Sequence, residues 1–491
     1  MVGTVQSSEV VGVRPAEPAD PSAQTLVPPG APKALFAAGG RQLIFGIVAV
    51  VLLIAFEAMA VATAMPRAVA ELHGFAFYAW AFTGFIVASL FAMVVAGEVC
   101  DARGPRLPLL GGIALFTVGL VVAGTARDMA VFVLGRALQG LGCGAVIVAL
   151  YVVVARAYDE SLRPRVFAVM SSAWVLPSII GPAVAGFVAD HYSWRWVFLA
   201  VPVLVIPAGL VMWRALPALD GGQPSTRVGR KRAAALVAAG VACLQYAGQR
   251  LDLLGIVFLV IGVALLAPSL HRLLPRGTLR FARGLPTVIA MRGVLAGAFF
   301  GAEAFVPLML ISQRGLSTTT AGLSLTGGAL GWAAGSWFQG RPGNTIGRDR
   351  LVRLGSALVA TGIAGMSLVL LPAVPAVVVF ACWTVGGAGM GMAMASVSVL
   401  MLQLSPPEDQ GANSAAIQVS DALFSVVSIG LAGAVYALAT RQAGPRTWAF
   451  WTIDTVMVSL ALAGSVLAGR IGPGATHPGN PDVAERVRGA S

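Results

Sequence analysis

Fourteen apolar runs follow one another along this chain, most of them long enough to cross a bilayer, with only short polar breaks between them. A spanning helix needs about 20 predominantly apolar residues. Lipid offers no water to unpaired backbone groups, so such runs must fold as helices that satisfy their own hydrogen bonds. Only 11% of the 491 residues are charged, against about 25% in soluble domains. The expected class is an all-α polytopic membrane protein. The predicted spans are 42–66, 77–97, 107–126, 129–156, 165–189, 195–215, 233–249, 252–270, 286–312, 318–339, 351–371, 374–404, 411–440 and 447–470. The seventh and eighth also fit one re-entrant hairpin, because the seventh is short and is punctuated by Gln245 and Gln249.

The net charge of +12 does not point to nucleic acid, because the basic residues sit in short loops between apolar runs. That is a topology signal. With both termini inside, the inner loops, tails and span ends hold 24 basic residues and the outer side seven, with Arg136 and Arg292 inside spans. The bias sets both termini in the cytoplasm. Cys100, Cys143, Cys243 and Cys382 show no C-x-x-C spacing and read as small buried hydrophobes.

The densest charge cluster near the start lies at Gly97–Arg106, where Gly97, Asp101, Arg103, Gly104 and Arg106 make a tight turn between two spans. A related pattern recurs at Gly340, Asn344, Gly347, Arg348 and Arg350, offset by 243 residues. Alternating glycines at 140, 142 and 144 recur at 387, 389 and 391, offset by 247. Glu57 is echoed by Glu303 at offset 246, and Trp196-Val197-Phe198 by Trp448-Ala449-Phe450 at offset 252. Several matches in one order at nearly constant offset indicate two homologous halves, an architecture that places a transport site between them. The expected organisation is a disordered cytoplasmic tail at 1–41, a six-helix bundle at 42–216, linkers with two additional spans at 217–285, a second six-helix bundle at 286–471, and a second cytoplasmic tail at 472–491.

Charges inside spans are costly and mark candidate sites. Glu57 and Arg136 lie at matching depth, roughly 13 Å and 10 Å from the outer ends of their spans, so they are within reach of each other. A carboxylate that gains and loses an arginine partner can bind and release a proton. The alternative is a static buried pair that fixes helix packing. Glu303 has no arginine at comparable depth in its own half, since Trp383 stands where Arg136 stands in the first. It reads either as an attractor for cationic substrate or as a hydrogen-bonded, protonated side chain. Asp421 is placed near the Asp101–Arg106 turn. Asp454 reads as a snorkelling surface group and Arg292 as snorkelling inward. Gly181, Pro182 and Gly186 form a kink site with a small face, either a static kink or a gating joint.

These residues together resemble the major facilitator superfamily, and within it the fourteen-span drug:proton antiporters, over roughly residues 42–470. Gly97, Asp101, Arg103, Gly104 and Arg106 match the signature loop between the second and third spans. Arg136, Gln139 and Gly140 match the fourth-span signature. Gly181-Pro182 with Gly186 resembles the fifth-span antiporter motif, although Ala168, Pro177 and Ala185 replace expected glycines. Glu57 stands where the first-span motif usually carries Asp.

The resemblance implies a plasma-membrane exporter of small amphipathic or cationic compounds. It would be driven by a proton gradient, need no cofactor or metal, work by alternating access, and act as a monomer in the lipid bilayer without nucleic acid. Glu57, Arg136, Gln139 and Glu303 would serve proton coupling and substrate. The turn with Asp421 would be a conformational latch, and Gly181, Pro182 and Gly186 a hinge. Export of a lipid or native metabolite, or proton symport, is the alternative. A polytopic membrane enzyme has no motif in its favour, such as a P-loop or H-E-x-x-H.

Overall fold

The computed structural model describes residues 38–158, 162–216, 230–248, 253–341, 345–406, 409–441 and 446–472. Nearly all of the expected tails, the loop with Arg227, and Asn344 lie outside the described residues. Every regular element among the described residues is a helix. Eleven helical segments are long and apolar enough to cross a membrane, and Val175–His191 and Ala235–Gly248 are shorter apolar helices. The chain is a multi-pass membrane protein. Three of the fourteen predicted spans miss the length or hydropathy of the other eleven. Two are these short helices; the third is the helix Thr318–Gln339, whose first turn is three threonines.

The first group comprises α1 (Ala38–Glu71), α2 (Trp80–Arg103), α3 (Arg106–Gly124), α4 (Met129–Ala157), α5 (Arg163–Ser172), α6 (Val175–His191) and α7 (Trp194–Ala215). A second group comprises α10 (Leu285–Glu303), α11 (Val306–Arg314), α12 (Thr318–Gln339), α13 (Arg348–Ser367), α14 (Val377–Leu404), α15 (Gln410–Arg441) and α16 (Thr447–Leu467). Between them in sequence lies an antiparallel pair, α8 (Arg230–Gly248) and α9 (Leu253–Leu273). The two groups meet mainly where α6 packs on α12 and α2 packs on α15. Helix α8 lies against both α2 and α15, so it covers that seam.

The alternating glycines explain how the central helix of each group is gripped. In α4 a Cβ at Gly140 or Gly144 would run into the α2 backbone at Phe85 or Ser89, and one at Gly142 into α3 at Phe116. In α14, Gly387 and Gly391 face α12 while Gly389 faces α13. Residues two apart on a helix point to different neighbours, so one triplet lets two helices approach closely.

Two spans are broken where proline dictates. Pro307 lacks the N–H that would bond to the carbonyl of Glu303, and α10 ends at Glu303. Pro177 likewise offers nothing to the carbonyl of Ala173, which lies between α5 and α6. Gly181-Pro182 lies inside α6, which continues through Pro182; the break between α5 and α6 falls a few residues earlier.

Candidate functional site

Three of the four residues assigned to coupling come together in the first group. Glu57 on α1 is wholly buried, and its Oε1 accepts from Nη1 of Arg136 on α4. The same nitrogen donates to Oε1 of Gln139. Nε of Arg136 donates to the Ala81 carbonyl at 2.9 Å, and the guanidinium lies 4.6 Å from the Phe85 ring centroid. Phe85 and Ala81 sit on α2, so one arginine ties α1, α2 and α4 together. Glu57 Oε2 and Gln139 Nε2 have no hydrogen-bond partner among the described residues. A buried charge needs such compensation or the fold loses several kcal/mol; here the compensation is partial.

Arg136 lines a cavity of about 350 Å³ between the two groups, within the range of about 300–1,000 Å³ usual for small-molecule sites. Phe82, Phe85, Ile86, Trp174 and Phe300 supply apolar wall, while Glu303 and Asp421 supply carboxyl groups from the other side. Glu303 is set at the broken end of α10 and makes no ion pair among the described residues. Gln418 and Ser425 add polar atoms along α15.

Asp421 does not reach the Gly97–Arg106 turn. It lies eleven residues beyond the start of α15 at Gln410, about 16 Å along the axis, too deep to meet a turn at the membrane face. Its Oδ2 instead accepts from Arg292 Nε at 2.7 Å. The same pair corrects the reading of Arg292, which does not snorkel. Asp454 is no surface group either: it is 4% exposed and accepts a 2.8 Å hydrogen bond from Ser367 Oγ. In the turn itself, Gly97 and Asp101 lie on the last part of α2 and Arg103 ends it. Gly104 takes φ +80°, which favours glycine, and Arg106 opens α3.

The face opposite that turn is closed by contacts between the groups that the sequence did not single out. Asp190, near the end of α6, accepts from the backbone N–H of Thr318 at 3.2 Å and of Thr319 at 2.8 Å, and from Thr319 Oγ1 at 2.8 Å. Arg67 on α1 donates to Asp190 at 2.9 Å and to Thr318 Oγ1 at 3.2 Å. Two of the three residues read as a hinge, Pro182 and Gly186, meet α12 at the same place, while Gly181 faces α1. A Cβ on Gly186 would stand 2.5 Å from Thr319 Cα, and one on Gly322 would stand 2.6 Å from the Pro182 carbonyl oxygen. On the other seam, Tyr78 donates to the carbonyl of Ala304 at 2.7 Å, inside a cluster with Phe305 and Tyr436. No spacing rule marks Asp190; only its position one turn before the next helix hints at a cap.

Comparison with known proteins fits this geometry. The model of the Major Facilitator Superfamily matches residues 47–429. An uncharacterized MFS-type transporter of Mycobacterium tuberculosis is 34% identical over 200 residues, covering 39% of this chain and 29% of that protein. Multidrug resistance protein 3 of Bacillus subtilis is 26% identical over 317 residues, 62% of this chain and 61% of its own length. The multidrug efflux pump SdrM of Staphylococcus aureus is 23% identical, over 59% of this chain and 66% of the pump. The chain thus spans less than two thirds of the length of the first two relatives. Among solved structures, a POT family transporter in complex with a thioalcohol-conjugated peptide superposes with a TM-score of 0.67 at 16% identity, over 90% of this chain and 99% of that one. A human organic anion transporter does so at 0.56 and 16% identity, over 87% and 99%.

Proposed function

The chain belongs to the Major Facilitator Superfamily, and on that premise we propose that it is a proton-coupled exporter of small amphipathic or cationic compounds. In this reading it has fourteen spans in the plasma membrane, both termini in the cytoplasm, and a bundle at 42–216 that rocks against one at 286–471. The Gly97–Arg106 turn then faces the cytoplasm and the Asp190 contacts face outward. A proton gradient supplies the energy, with no cofactor, and the monomer is the working unit. Similarity to multidrug transporters at 23–28% identity supports the choice of cargo.

One observation carries the proposal: the Glu57–Arg136–Gln139 cluster stands at the wall of a cavity whose far side bears Glu303, which has no ion-pair partner among the described residues. With Glu57 ionised, the guanidinium is held against α1. A proton on Glu57 removes that attraction and leaves the arginine to Gln139 and the Ala81 carbonyl. The positive charge of Arg136 and the negative charge of Glu303 then bias where a cationic compound settles. Binding of cargo and of proton thus depend on one another through a shared electrostatic field.

The test is transport in inverted membrane vesicles. An acid interior should drive uptake of a cationic dye by the wild type, and Glu57→Gln should abolish it while the protein still inserts and folds. Normal uptake by Glu57→Gln would remove the proton role from Glu57.

A further inference from the structure

We infer that Asp190 is a positioning residue for the transport cycle: its carboxylate, seated on the N-terminus of α12 and braced by Arg67, latches the two groups shut on the face opposite the Gly97–Arg106 turn. The inference rests on the alternating-access reading above and adds to it the residue that sets one end of the motion.

Five hydrogen bonds converge on this point, and all cross between elements. Both carboxylate oxygens are used: Oδ1 by Thr318 N–H and Arg67, Oδ2 by the N–H and hydroxyl of Thr319. Arg67 adds its second contact to Thr318 Oγ1. The first amides of a helix have no partner inside it, and the helix dipole favours an anion there. The remaining amide at this end is already met from within, because Ser317 Oγ accepts from Thr320 N–H at 3.1 Å. Asp190 therefore does not complete a cap that α12 lacks. It takes the two amides Ser317 leaves over, from the opposite bundle.

The backbones below explain why such a contact is all-or-none. Gly186 and Gly322 bring α6 and α12 within atomic contact just beneath the carboxylate. A separation of a few ångströms there breaks all three hydrogen bonds from Thr318 and Thr319 to Asp190 together, while Arg67, in the same group as Asp190, stays with the carboxylate. The freed amides and hydroxyl would not be stranded, because the site lies where the Arg67 side chain is 53% exposed and water can take the place of the carboxylate. The arrangement is strong enough to hold one state and open enough to be released, as a latch requires.

The experiment uses the full-length protein in lipid, with its native cysteines replaced. Spin labels at Tyr192 and Ser312 read the latched face, and labels at Ala155 and Leu402 read the opposite one; all four positions are exposed. In the wild type a short 192–312 distance should dominate. Asp190→Asn, which keeps the shape and removes the charge, should shift the population toward a longer 192–312 distance and a shorter 155–402 distance. The shift should be on the order of tenfold or more in the ratio of the two states, the scale of one lost charge-assisted contact. Arg67→Gln should do the same to a smaller extent, and Asp190→Glu should restore part of the short distance.

Unchanged distributions in Asp190→Asn would overturn the inference. So would a longer 192–312 distance with 155–402 unmoved, since that is local fraying. If a proton gradient or a cationic dye moves both pairs in the wild type but Asp190→Asn matches it, only the latch fails. If nothing moves either pair in any variant, the alternating-access reading fails.

Discussion

Arg292 and Asp421 form an ion pair, 2.7 Å between Nε and Oδ2, that joins α10 to α15 beside the central cavity. Their side chains are 21% and 19% exposed, between a surface pair and a buried one. Removing one partner leaves the other charge half-shielded from water. Asp421→Asn or Arg292→Met should each cost about 1–3 kcal/mol of stability, between the values for surface and buried pairs. The double substitution should recover most of that loss. Thermal unfolding of the four proteins in one detergent reads the coupling directly.

Gln139 shares Arg136 with Glu57. Gln139→Glu would offer the guanidinium a second carboxylate and hold it in place whether or not Glu57 carries a proton. Gradient-driven transport should then fall at least about tenfold, the equivalent of about 1.4 kcal/mol. Exchange of labelled for unlabelled substrate without a gradient should persist. Parallel loss of both activities would mean that Gln139 only packs the core.

Glu303 is the one carboxyl group of the cavity without an ion-pair partner among the described residues. Glu303→Gln should reduce efflux of a monovalent cationic dye on the order of tenfold, while a neutral dye of similar size is carried as before. The size follows from the Coulomb attraction lost at a partly hydrated site. Equal effects on both dyes would place Glu303 outside charge selection.

Trp383 is fully buried, stacks on Phe299 with centroids 4.6 Å apart, and its indole N–H has no partner among the described residues. Its contribution is therefore volume and ring contact. Trp383→Ala should destabilise by about 3–5 kcal/mol, whereas Trp383→Phe, which keeps a ring and leaves a smaller cavity, should cost clearly less. Equal losses in Trp383→Phe and Trp383→Ala would show that ring volume is not what Trp383 contributes. Unfolding midpoints in a denaturant series decide it.

What could be read from the sequence is what rests on local rules. Hydropathy located nearly every helix, because it depends on side-chain character along the chain alone, and the recurrence of the glycine triplets marked two corresponding helices, although which neighbours they grip shows only in the fold. The Glu57–Arg136 contact was legible too, since two charges at one depth in lipid have few other places to go. Asp421 was misplaced although its depth already set it too far from the turn, and Arg292 because depth along a helix does not say which neighbour the side chain faces. Asp454 was misread for the same reason: its partner, Ser367, comes from a helix 87 residues away in sequence. Asp190 escaped notice because a lone carboxylate at a helix end has a dozen ordinary explanations, and its meaning lies wholly in the backbone of α12 opposite.

The pair α8–α9 has a mechanical consequence. Helix α8 lies on α2 from one group and on α15 from the other, so in the proposed transport cycle it could not follow both groups as they tilt apart. One of its two interfaces would have to slide. Val241, Leu244, Gln245 and Ala247 of α8 line one cavity with Val426, Gly430 and Ala434 of α15, and apart from Gln245 these side chains are small or aliphatic, with no directional contact to break. Under the proposed alternating motion the seam would act as a lubricated bearing, keeping one flank covered while the other flank opens.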